Sequence, residues 1–483
     1  MPHKLKIVSI ASETFPFSKS GGLADVVGSL PKALYKLGHD IIAITPYYNQ
    51  FIDFSKYKLD LVYQGLSINL DNKNTLKVSY YLGYLDNQIP IYFIRQDKFF
   101  NHKRLYGYPD ENKRFYFFNV AALKLIELLN FSPDIIHCHD WHTGLIPELI
   151  KKRPADWPSL KQTKTVFTIH NLTFQLGHDW WHIPEEEKDF GHKNLPKFDD
   201  PKIEYVNFAK RAIINADIIN TVSPQYAEEI LTKDFGQDLH HILFNNKHKL
   251  YGIINCIDEK EFNPATDPGL TKNFNYDSVN LKKVNKEAIQ SFFNLPVKDV
   301  PLLGMTSRLV EQKGFELLNR ILETLMSLDL QILIMGDGDK KYISFLNKMQ
   351  RKFPKKLAYK AFDQKWETSI YAGADMLLLP SRFEPCGLNQ LYALRYGCIP
   401  IVHRIGGLAD TVTEFHAQKF TGNGFVFRRY HSDYLLMAII RALTVCQFSE
   451  VWHKLIVKGM KQSSFWITSA KKYVTLFRKA IKK

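Results

Sequence analysis

The chain has 483 residues, of which 45% are apolar and 23% are charged. This composition is that of a globular protein too long for one compact core, so we expect two domains and no extensive disorder. The formal net charge of +15 raises nucleic acid as a partner. However, the basic residues are dispersed apart from the C-terminal cluster 478–483, which we interpret as one face of a solvated helix, and we expect no nucleic-acid partner.

The N-terminus and the cysteines indicate the cellular compartment of the protein. The apolar stretch 7–11 is too short for a signal peptide, and no run approaches the roughly 20 apolar residues of a membrane span. Five cysteines are scattered along the chain without a CxxC pair, which favours reduced thiols over disulfides or zinc. We predict a cytoplasmic protein, or one already trimmed of a targeting segment, that does not contact membranes.

Strand-length apolar runs alternate with helical patterns along almost the whole chain. This alternation is typical of βαβ units, and the predicted fold class is α/β with two doubly wound, Rossmann-like domains. In the first half, strands are predicted at 6–11, 40–45, 89–94, 134–137, 164–169 and 217–221, with helices at 111–129 and 202–215.

The second half repeats the scheme after a break near 245–263. Strands are predicted at 250–255, 302–306, 331–335, 375–379 and 398–402, with helices at 314–326 and 388–396. The predicted domains are 1–245 and 246–460, followed by a C-terminal helix at 461–483. Because ligands of such sheets bind beyond the carboxyl ends of the strands, the residues that follow each strand are the candidates for a site.

After the first strand comes Lys19-Ser20-Gly21-Gly22, followed by a helical pattern. Adjacent glycines let backbone amides approach an anion, the helix N-terminus adds partial positive charge, and Lys19 adds a full one. The pattern outlines a phosphate-binding loop, although taken alone Gly-Gly before a helix is more often a simple turn. Ser29 and Pro31 are predicted to restart a helix that Gly38 ends.

Three histidines and an aspartate end the strand at 134–137, in the segment 137–142. They could form a metal site, but the strand period places His137 and His139 on one face and leaves Asp140 in the following turn. We therefore favour polar groups that line a sugar pocket. The next strand ends in a similar way, with His170 and Asn171.

Cations follow the strand predicted at 302–306, in the segment 306–314. Arg308 and Lys313 would repel each other if unpaired, and a bound diphosphate would relieve this repulsion. The alternative is that Glu311 neutralises them. Asp337-Gly338-Asp339 has the form of a metal-binding DxD motif, but we favour a strand-to-helix turn.

The segment 380–389 follows a later strand and leads into a helix. Glu384 can accept hydrogen bonds from sugar hydroxyls, while amides near Gly387 and Leu388 face an anion at the helix end. Cys386 could act as a nucleophile, but no His-Asn pattern supports thiol catalysis, so we favour packing for its sulfur.

Together these segments resemble the bacterial glycogen synthases and plant starch synthases, which are retaining glycosyltransferases with two Rossmann domains facing across a cleft (the GT-B fold). The resemblance extends along most of the chain, through the segments 19–26, 139–142, 168–172, 223–230, 307–314, 382–388 and 406–412. The segment 466–483 is similar to the final helix of the family, which crosses back onto the first domain.

The resemblance implies transfer of glucose from ADP-glucose to the non-reducing end of glycogen or another α-1,4-glucan primer, with retention and without a metal or other cofactor. It implies donor contacts by Lys19 and Gly22, stabilisation of the leaving diphosphate by Arg308 and Lys313, and an anion site at the amides of Gly387 and Leu388. Asp140, His170 and Glu384 would hold sugar hydroxyls. The implied catalytic residues are Lys19, His170, Arg308, Lys313 and Glu384, and further substrate-binding positions are Asp25, Asn171, Phe362 and Cys386.

The sequence departs from the family pattern at three positions. Phe362 stands where a tyrosine often lies against the nucleobase, Cys256 replaces a usual glycine, and Asn389 replaces the threonine of some relatives. Two alternatives stay open: a GT-B transferase that uses UDP-glucose or a different acceptor, and a non-catalytic glucan-binding or nucleic-acid-binding protein that kept the fold.

Overall fold

The computed structural model describes residues 3–177, 180–462 and 465–482. These residues divide into two compact units. The first unit contains the described residues 3–177, 180–255 and 466–482, and the second contains residues 256–462 and Phe465.

The first unit is built on a sheet of nine strands within the described residues. Its strands are β1 Lys6–Ile10, β2 Asp40–Pro46, β3 Asp60–Asn69, β4 Thr75–Leu85, β5 Ile89–Arg95, β6 Ile135–His139, β7 Lys164–Ile169, β8 Ile218–Thr221 and β9 Leu250–Gly252. Their order is β3-β4-β5-β2-β1-β6-β7-β8-β9. All neighbours pair in parallel except β3 with β4 and β4 with β5, which form an antiparallel edge.

Helices cover this sheet, which explains why its central strands are near-continuous apolar runs. They are α1 Gly22–Lys36, α2 Asp97–Phe100, α3 Glu111–Leu128, α4 Ile146–Lys152, α5 Phe208–Asn215, α6 Pro224–Glu229 and α7 His240–Asn245. The strands predicted at 6–11 through 217–221 are all present, with ends shifted by at most two residues. The edge strands β3 and β4 are absent from the prediction.

Two helix predictions in this unit are wrong in their bounds. Helix α1 begins at Gly22 and continues through Pro31, because the buried apolar face of the helix outweighs the one backbone donor that a proline removes. The helix predicted at 202–215 begins only at Phe208, where the side chain of Asn207 accepts a hydrogen bond from the Lys210 amide. The residues before it form a short 3₁₀ turn, Pro201–Tyr205.

The second unit has a parallel sheet of six strands in the part of the chain that the structure describes. They are β10 Leu302–Thr306, β11 Gln331–Met335, β12 Leu357–Lys360, β13 Met376–Leu379, β14 Ile399–His403 and β15 Phe425–Phe427, in the order β12-β11-β10-β13-β14-β15. The helices are α8 Lys282–Phe292, α9 Phe315–Ser327, α10 Lys340–Lys352, α11 Gln364–Gly373, α12 Asn389–Arg395, α13 Gly406–Thr411, α14 Ser432–Cys446 and α15 Ser449–Lys461. The predicted α/β class with two doubly wound domains is confirmed, and the first sheet is mixed because of its antiparallel edge.

The last helix, α16 Trp466–Ile481, belongs to the first unit although it follows the second in sequence. The hydroxyl of its Tyr473 accepts a hydrogen bond of 3.1 Å from Asn220 Nδ2 on β8. Strand β9 pairs in parallel with β8, so the first unit extends to residue 255 and not to the predicted 245.

None of the described helices is by itself long and apolar enough to cross a membrane. One bent pair, Ser432–Cys446 with Ser449–Lys461 at 111°, meets the same criteria of length and composition.

Candidate active site

The polar motifs of the first unit follow three neighbouring strands, β1, β6 and β7. The strands are parallel, so their carboxyl ends lie along one edge of the sheet. The Lys19 loop follows β1, Asp140 follows β6, and His170 follows β7. The fold therefore gathers these segments, which are far apart in sequence, at the edge where ligands bind in such sheets.

The Lys19 loop ends at an open helix N-terminus. Gly21 is the N-cap of α1 and makes no side-chain capping hydrogen bond. A Cβ added at Gly21 or Gly22 would meet nothing within 4 Å, so packing within the unit does not require a glycine at either position. What remains is a set of exposed backbone amides that an anion can approach closely.

Lys19 forms an ion pair with Asp25, which lies in the first turn of α1. Its Nζ lies 2.7 Å from Asp25 Oδ1, and its side chain is 44% exposed. Burial raises the pKa of Asp25, and the neighbouring Lys19 opposes that rise. Asp25, a predicted substrate-binding residue, thus contacts Lys19 directly and places its ammonium beside the helix end.

Glu13 lies behind this loop, and the sequence analysis missed it. It is buried, with 2% exposure, and its Oε2 accepts a hydrogen bond of 2.5 Å from the Ser20 amide. Burial raises the pKa of Glu13 from 4.5 to about 7. A charged residue placed directly after a buried strand was the available signal.

A chain of buried imidazoles joins the ends of β6 and β7. His139 Nδ1 lies 2.9 Å from His170 Nε2, and Ser9 Oγ lies 3.2 Å from His139 Nε2. Burial lowers the pKa of His170 to about 3, so this ring is neutral near pH 7. His137 and His139 share one strand face as predicted, with ring centroids 3.9 Å apart.

These histidines bond to each other and to hydroxyl groups. His137 Nε2 lies 2.7 Å from Thr168 Oγ1. Among the described residues, no group of three or more His, Cys, Asp or Glu side chains is arranged to hold a metal ion. Recognition of sugar hydroxyls by the groups at these strand ends stays a prediction.

Asp140 adopts a positive φ of 58° at the turn after β6. Its Oδ1 accepts hydrogen bonds of 2.8 Å from the His170 amide and from Gln175 Nε2. Burial raises the pKa of Asp140 to about 7. Asn171 Oδ1 accepts from the Thr173 amide at 3.1 Å and so caps the short helical turn that follows. The predicted Asp140, His170 and Asn171 are therefore neighbours, and Gln175 is an additional member.

In the second unit the central feature is an ion pair between two predicted catalytic residues. Lys313 Nζ lies 2.6 Å from Glu384 Oε2, which also accepts a hydrogen bond of 3.0 Å from Ser381 Oγ. Since the two residues lie in loops that follow the adjacent strands β10 and β13, the sheet brings them together. Lys313 is therefore paired, and the repulsion considered for two unpaired cations does not apply to it.

The alternative role of Glu311 is wrong, because its carboxylate pairs with Arg382. Arg308 makes one long hydrogen bond of 3.4 Å, from Nη2 to Gln312 Oε1, and no carboxylate of the described chain pairs with it. Its exposed guanidinium therefore remains available to an anionic ligand.

The Asp337-Gly338-Asp339 segment is a turn, as the sequence favoured. The Leu309 amide donates to the Asp337 carbonyl, and the Asp339 amide donates to the Leu309 carbonyl, each at 2.8 Å. Asp337 Oδ2 accepts from the Phe362 amide at 3.1 Å. The Phe362 side chain itself is 46% exposed, so its ring is available to stack on a planar ligand.

A cavity in the second unit is lined by both members of the ion pair. Its walls include Ser307, Lys313, Glu384, Gly387, Leu388 and Asn389. The backbone N–H groups of Gly387 and Leu388 donate no hydrogen bond within the described part of the chain. Cys386 is buried. Cation, carboxylate and unpaired amides thus converge on one space.

Comparisons with known proteins agree with this architecture. A family profile described as "Starch synthase catalytic domain" matches residues 6–245, and one described as "Glycosyl transferases group 1" matches residues 286–454. A glycogen synthase from Moorella thermoacetica is 40% identical over 499 residues, covering 100% of this chain and 98% of the relative. The chain belongs to the glycogen and starch synthase family. A glycogen synthase from Thermotoga petrophila is likewise 40% identical over 491 residues, covering 99% of each chain.

A solved structure of this family matches the whole chain. The catalytic domain of Starch Synthase IV from Arabidopsis thaliana, bound to ADP and acarbose, has a TM-score of 0.85 and 31% identity, and 100% of both chains is covered. A sucrose-phosphate synthase from Thermosynechococcus elongatus, at a TM-score of 0.62, 16% identity and coverage of 99% of this chain and 100% of the other, shares the fold alone. The predicted family, GT-B fold and glycosyltransferase class are confirmed.

Proposed function

We propose that this glycosyltransferase transfers glucose from ADP-glucose to the non-reducing end of an α-1,4-glucan, with retention and without a metal or other cofactor. The observation that carries the proposal is the cavity of the second unit, where the Lys313–Glu384 pair, 2.6 Å apart, adjoins the unpaired amides of Gly387 and Leu388. ADP and acarbose, the molecules bound to the starch synthase IV domain, support a nucleotide donor and a glucan acceptor.

The second unit provides positive charge where a nucleoside diphosphate leaves. Negative charge develops on the diphosphate as its bond to glucose breaks, and fixed donors aimed at that charge stabilise the transition state. Arg308, Lys313 and the amides of Gly387 and Leu388 would supply these donors.

Glu384 would act on the sugar and on Lys313 at once. Its Oε2 is occupied by Lys313 and Ser381. Its Oε1 accepts no hydrogen bond from the described residues and can accept one from a sugar hydroxyl. The carboxylate thereby fixes the ammonium of Lys313 and orients the glucose.

The first unit would contribute Lys19 and the Gly22 helix end as donor contacts. His170, neutral because burial lowers its pKa to about 3, would exchange hydrogen bonds with sugar hydroxyls without adding a cation. Asp140 holds the His170 amide at 2.8 Å and so keeps this ring at the end of β7.

A donor panel tests the proposal. The purified protein would receive labelled ADP-glucose or UDP-glucose, with glycogen as the acceptor, in the presence and absence of EDTA. We expect incorporation from ADP-glucose that EDTA leaves unchanged. Incorporation from UDP-glucose alone would show that UDP-glucose, and not ADP-glucose, is the donor. Loss of activity with EDTA would overturn the metal-free mechanism. No incorporation from either donor would overturn the proposed function.

An acceptor series tests direction and stereochemistry. A maltooligosaccharide modified at its reducing end should be extended, whereas one blocked at its non-reducing end should not. The product should be degraded by an α-1,4-specific amylase. A product resistant to that enzyme would contradict retention.

A further inference from the structure

Four consecutive backbone carbonyls in the loop before α12 turn toward α13 and Gln390. The carbonyls of Glu384 and Pro385 each accept from the Gly407 amide at 3.2 Å. Those of Cys386 and Gly387 accept from Gln390 Nε2, at 3.1 Å and 2.8 Å. The side-chain amide of one buried residue thus holds two successive peptide units.

The direction of these carbonyls fixes the direction of the neighbouring amides. In a planar trans peptide the N–H of one residue points opposite to the C=O of the residue before it, and the peptide bonds of this segment are trans. With the Cys386 and Gly387 carbonyls held by Gln390, the N–H groups of Gly387 and Leu388 point the other way. These are the amides that remain unpaired at the cavity.

The orientation of the Gln390 amide follows from its neighbours. Because carbonyl oxygens only accept, the atom that faces two of them must be the NH₂ group. The residue is fully buried, and its Oε1 has no hydrogen-bond partner. The hydrogen bonds of the Gln390 side chain are therefore made by its NH₂ group, and two of them go to the loop carbonyls.

Helix α13 completes the arrangement and explains a motif with no role in the proposed function. A Cβ on Gly407 would lie 1.9 Å from the Cys386 carbonyl oxygen, and one on Gly406 would lie 2.0 Å from that of Glu384. The hydroxyl of Thr411, at the end of this helix, lies 3.1 Å from Gln390 Nε2. The glycines therefore allow α13 to press directly against the loop.

We infer that Gln390 is a positioning residue for donor binding, which orients the Gly387 and Leu388 amides toward the diphosphate by holding the carbonyls of Cys386 and Gly387. The inference rests on the proposed function, because a diphosphate must be the ligand of these amides. Gln390 itself contacts no donor atom and acts through the two peptide units.

The test compares ADP binding by the full chain and its Gln390→Met variant, using calorimetry. Methionine preserves length and volume but removes the NH₂ group, so the two peptide units lose their common donor. We expect the dissociation constant for ADP to rise about tenfold or more, while the KM for glycogen stays within about twofold. Unchanged ADP affinity in a folded Gln390→Met protein would overturn the inference.

Gln331→Met is the matched control. Gln331 is also buried, and its Nε2 donates to the carbonyls of Pro296 and Lys355, at 2.8 Å and 3.4 Å. Since these contacts lie outside the cavity lining, the control should lose thermal stability and keep the ADP affinity of the unmodified protein. An equal loss of ADP affinity in both variants would show that Gln390 acts only through the stability of the fold, and it would overturn the inference.

A second variant keeps the test decisive if Gln390→Met does not fold. Thr411→Val removes the hydroxyl beside Gln390 Nε2 and should weaken ADP binding about two- to fivefold. Unchanged binding in this variant would count against the inference. The proposed function and the role of Gln390 are tested separately. If the unmodified protein does not bind ADP, the proposed function is contradicted, whatever the variants do.

Discussion

Two glycine-containing helix ends, one in each unit, are built in opposite ways. At the Lys19 loop, a Cβ on Gly21 or Gly22 would meet nothing within 4 Å. At the loop before α12, Gly387 has a φ of +66° and a Cβ there would lie 2.6 Å from Gln390 Oε1. In the first loop, neighbouring atoms would leave room for a side chain at either glycine. In the second loop, the backbone conformation and the neighbouring side chain require glycine at position 387.

The difference shows what each glycine is for. Where neighbouring atoms leave room for a side chain, packing does not explain the glycine, and under the proposed function this space would admit an anion. Where they leave none, it lets two segments of backbone touch and fixes the direction of their amides. The loop of the second unit is therefore organised before ligand arrives, and the Lys19 loop depends on fewer contacts, chiefly those of Glu13 and Asp25.

The largest expected effect is at the preorganised loop. Glu384→Gln keeps the size of the side chain but removes the counter-charge of Lys313 and weakens the sugar acceptor. We expect kcat/KM for the donor to fall about 10²- to 10³-fold with little change in thermal stability. Glu323→Gln is the control, because Glu323 forms a similar 2.8 Å pair with Lys352 in an exposed position, and its activity should stay within about twofold. Comparable losses in both variants would refute a specific role for Glu384.

Lys19→Ala tests the less constrained loop. We expect a loss of about 10²-fold in transfer and almost unchanged stability, because an exposed ion pair contributes only about 0 to 1 kcal/mol. Lys4→Ala is the matched control, since Lys4 also pairs with an aspartate, Asp40, at 2.8 Å on the surface of the same unit. If Lys19→Ala retained normal incorporation of labelled glucose, its assignment as a donor contact would be wrong.

Alanine at Gly22, beside Lys19, and at Gly407, in the helix α13 that packs on the loop before α12, addresses the contrast directly. Gly22→Ala should raise the free energy of unfolding by about 0.5 kcal/mol, because alanine favours the helix, and should still impair transfer. Gly407→Ala should lower the free energy of unfolding by about 2 kcal/mol or more, since its Cβ would collide with the Cys386 carbonyl. Chemical denaturation measures both values. Equal destabilisation by the two changes would abolish the distinction.

The last expected effect is on stability alone and concerns the pH dependence of Glu13. Its pKa is raised from 4.5 to about 7, mainly by burial and also by Asp25, while Ser20 and Lys19 act to lower it. Between these pH values the folded state holds a proton that the unfolded state has released, so this group's contribution to stability falls as pH rises through the window.

Glu13→Gln removes that titration. Relative to the unmodified protein, the variant should gain on the order of 1 to 3 kcal/mol in free energy of unfolding between about pH 4.5 and 7. Urea denaturation of both proteins at the two ends of the window measures the difference. A constant difference across the window would show that Glu13 does not titrate there.

Much of the fold was predictable because its strands are buried apolar runs. The predicted strands of both units are present, and Glu111–Leu128 matches its predicted helix closely. The exposed edge strand β3 was missed, since most of its residues are solvent-exposed and show no buried run. The first domain boundary was placed too early because the short β9 pairs with β8, which a local pattern does not reveal.

The sequence by itself determined the α/β alternation, the family, and the positions of polar residues at strand ends. Only the tertiary structure decided which of those residues are partners. Lys313 and Glu384 are 71 positions apart and form an ion pair. Glu311 is close to Lys313 in sequence but pairs with Arg382. The physical reason is that composition and periodicity are local properties, whereas a hydrogen bond between loops depends on strand order and backbone direction. Gln390 shows this most clearly, because its role exists only where two carbonyls turn toward it.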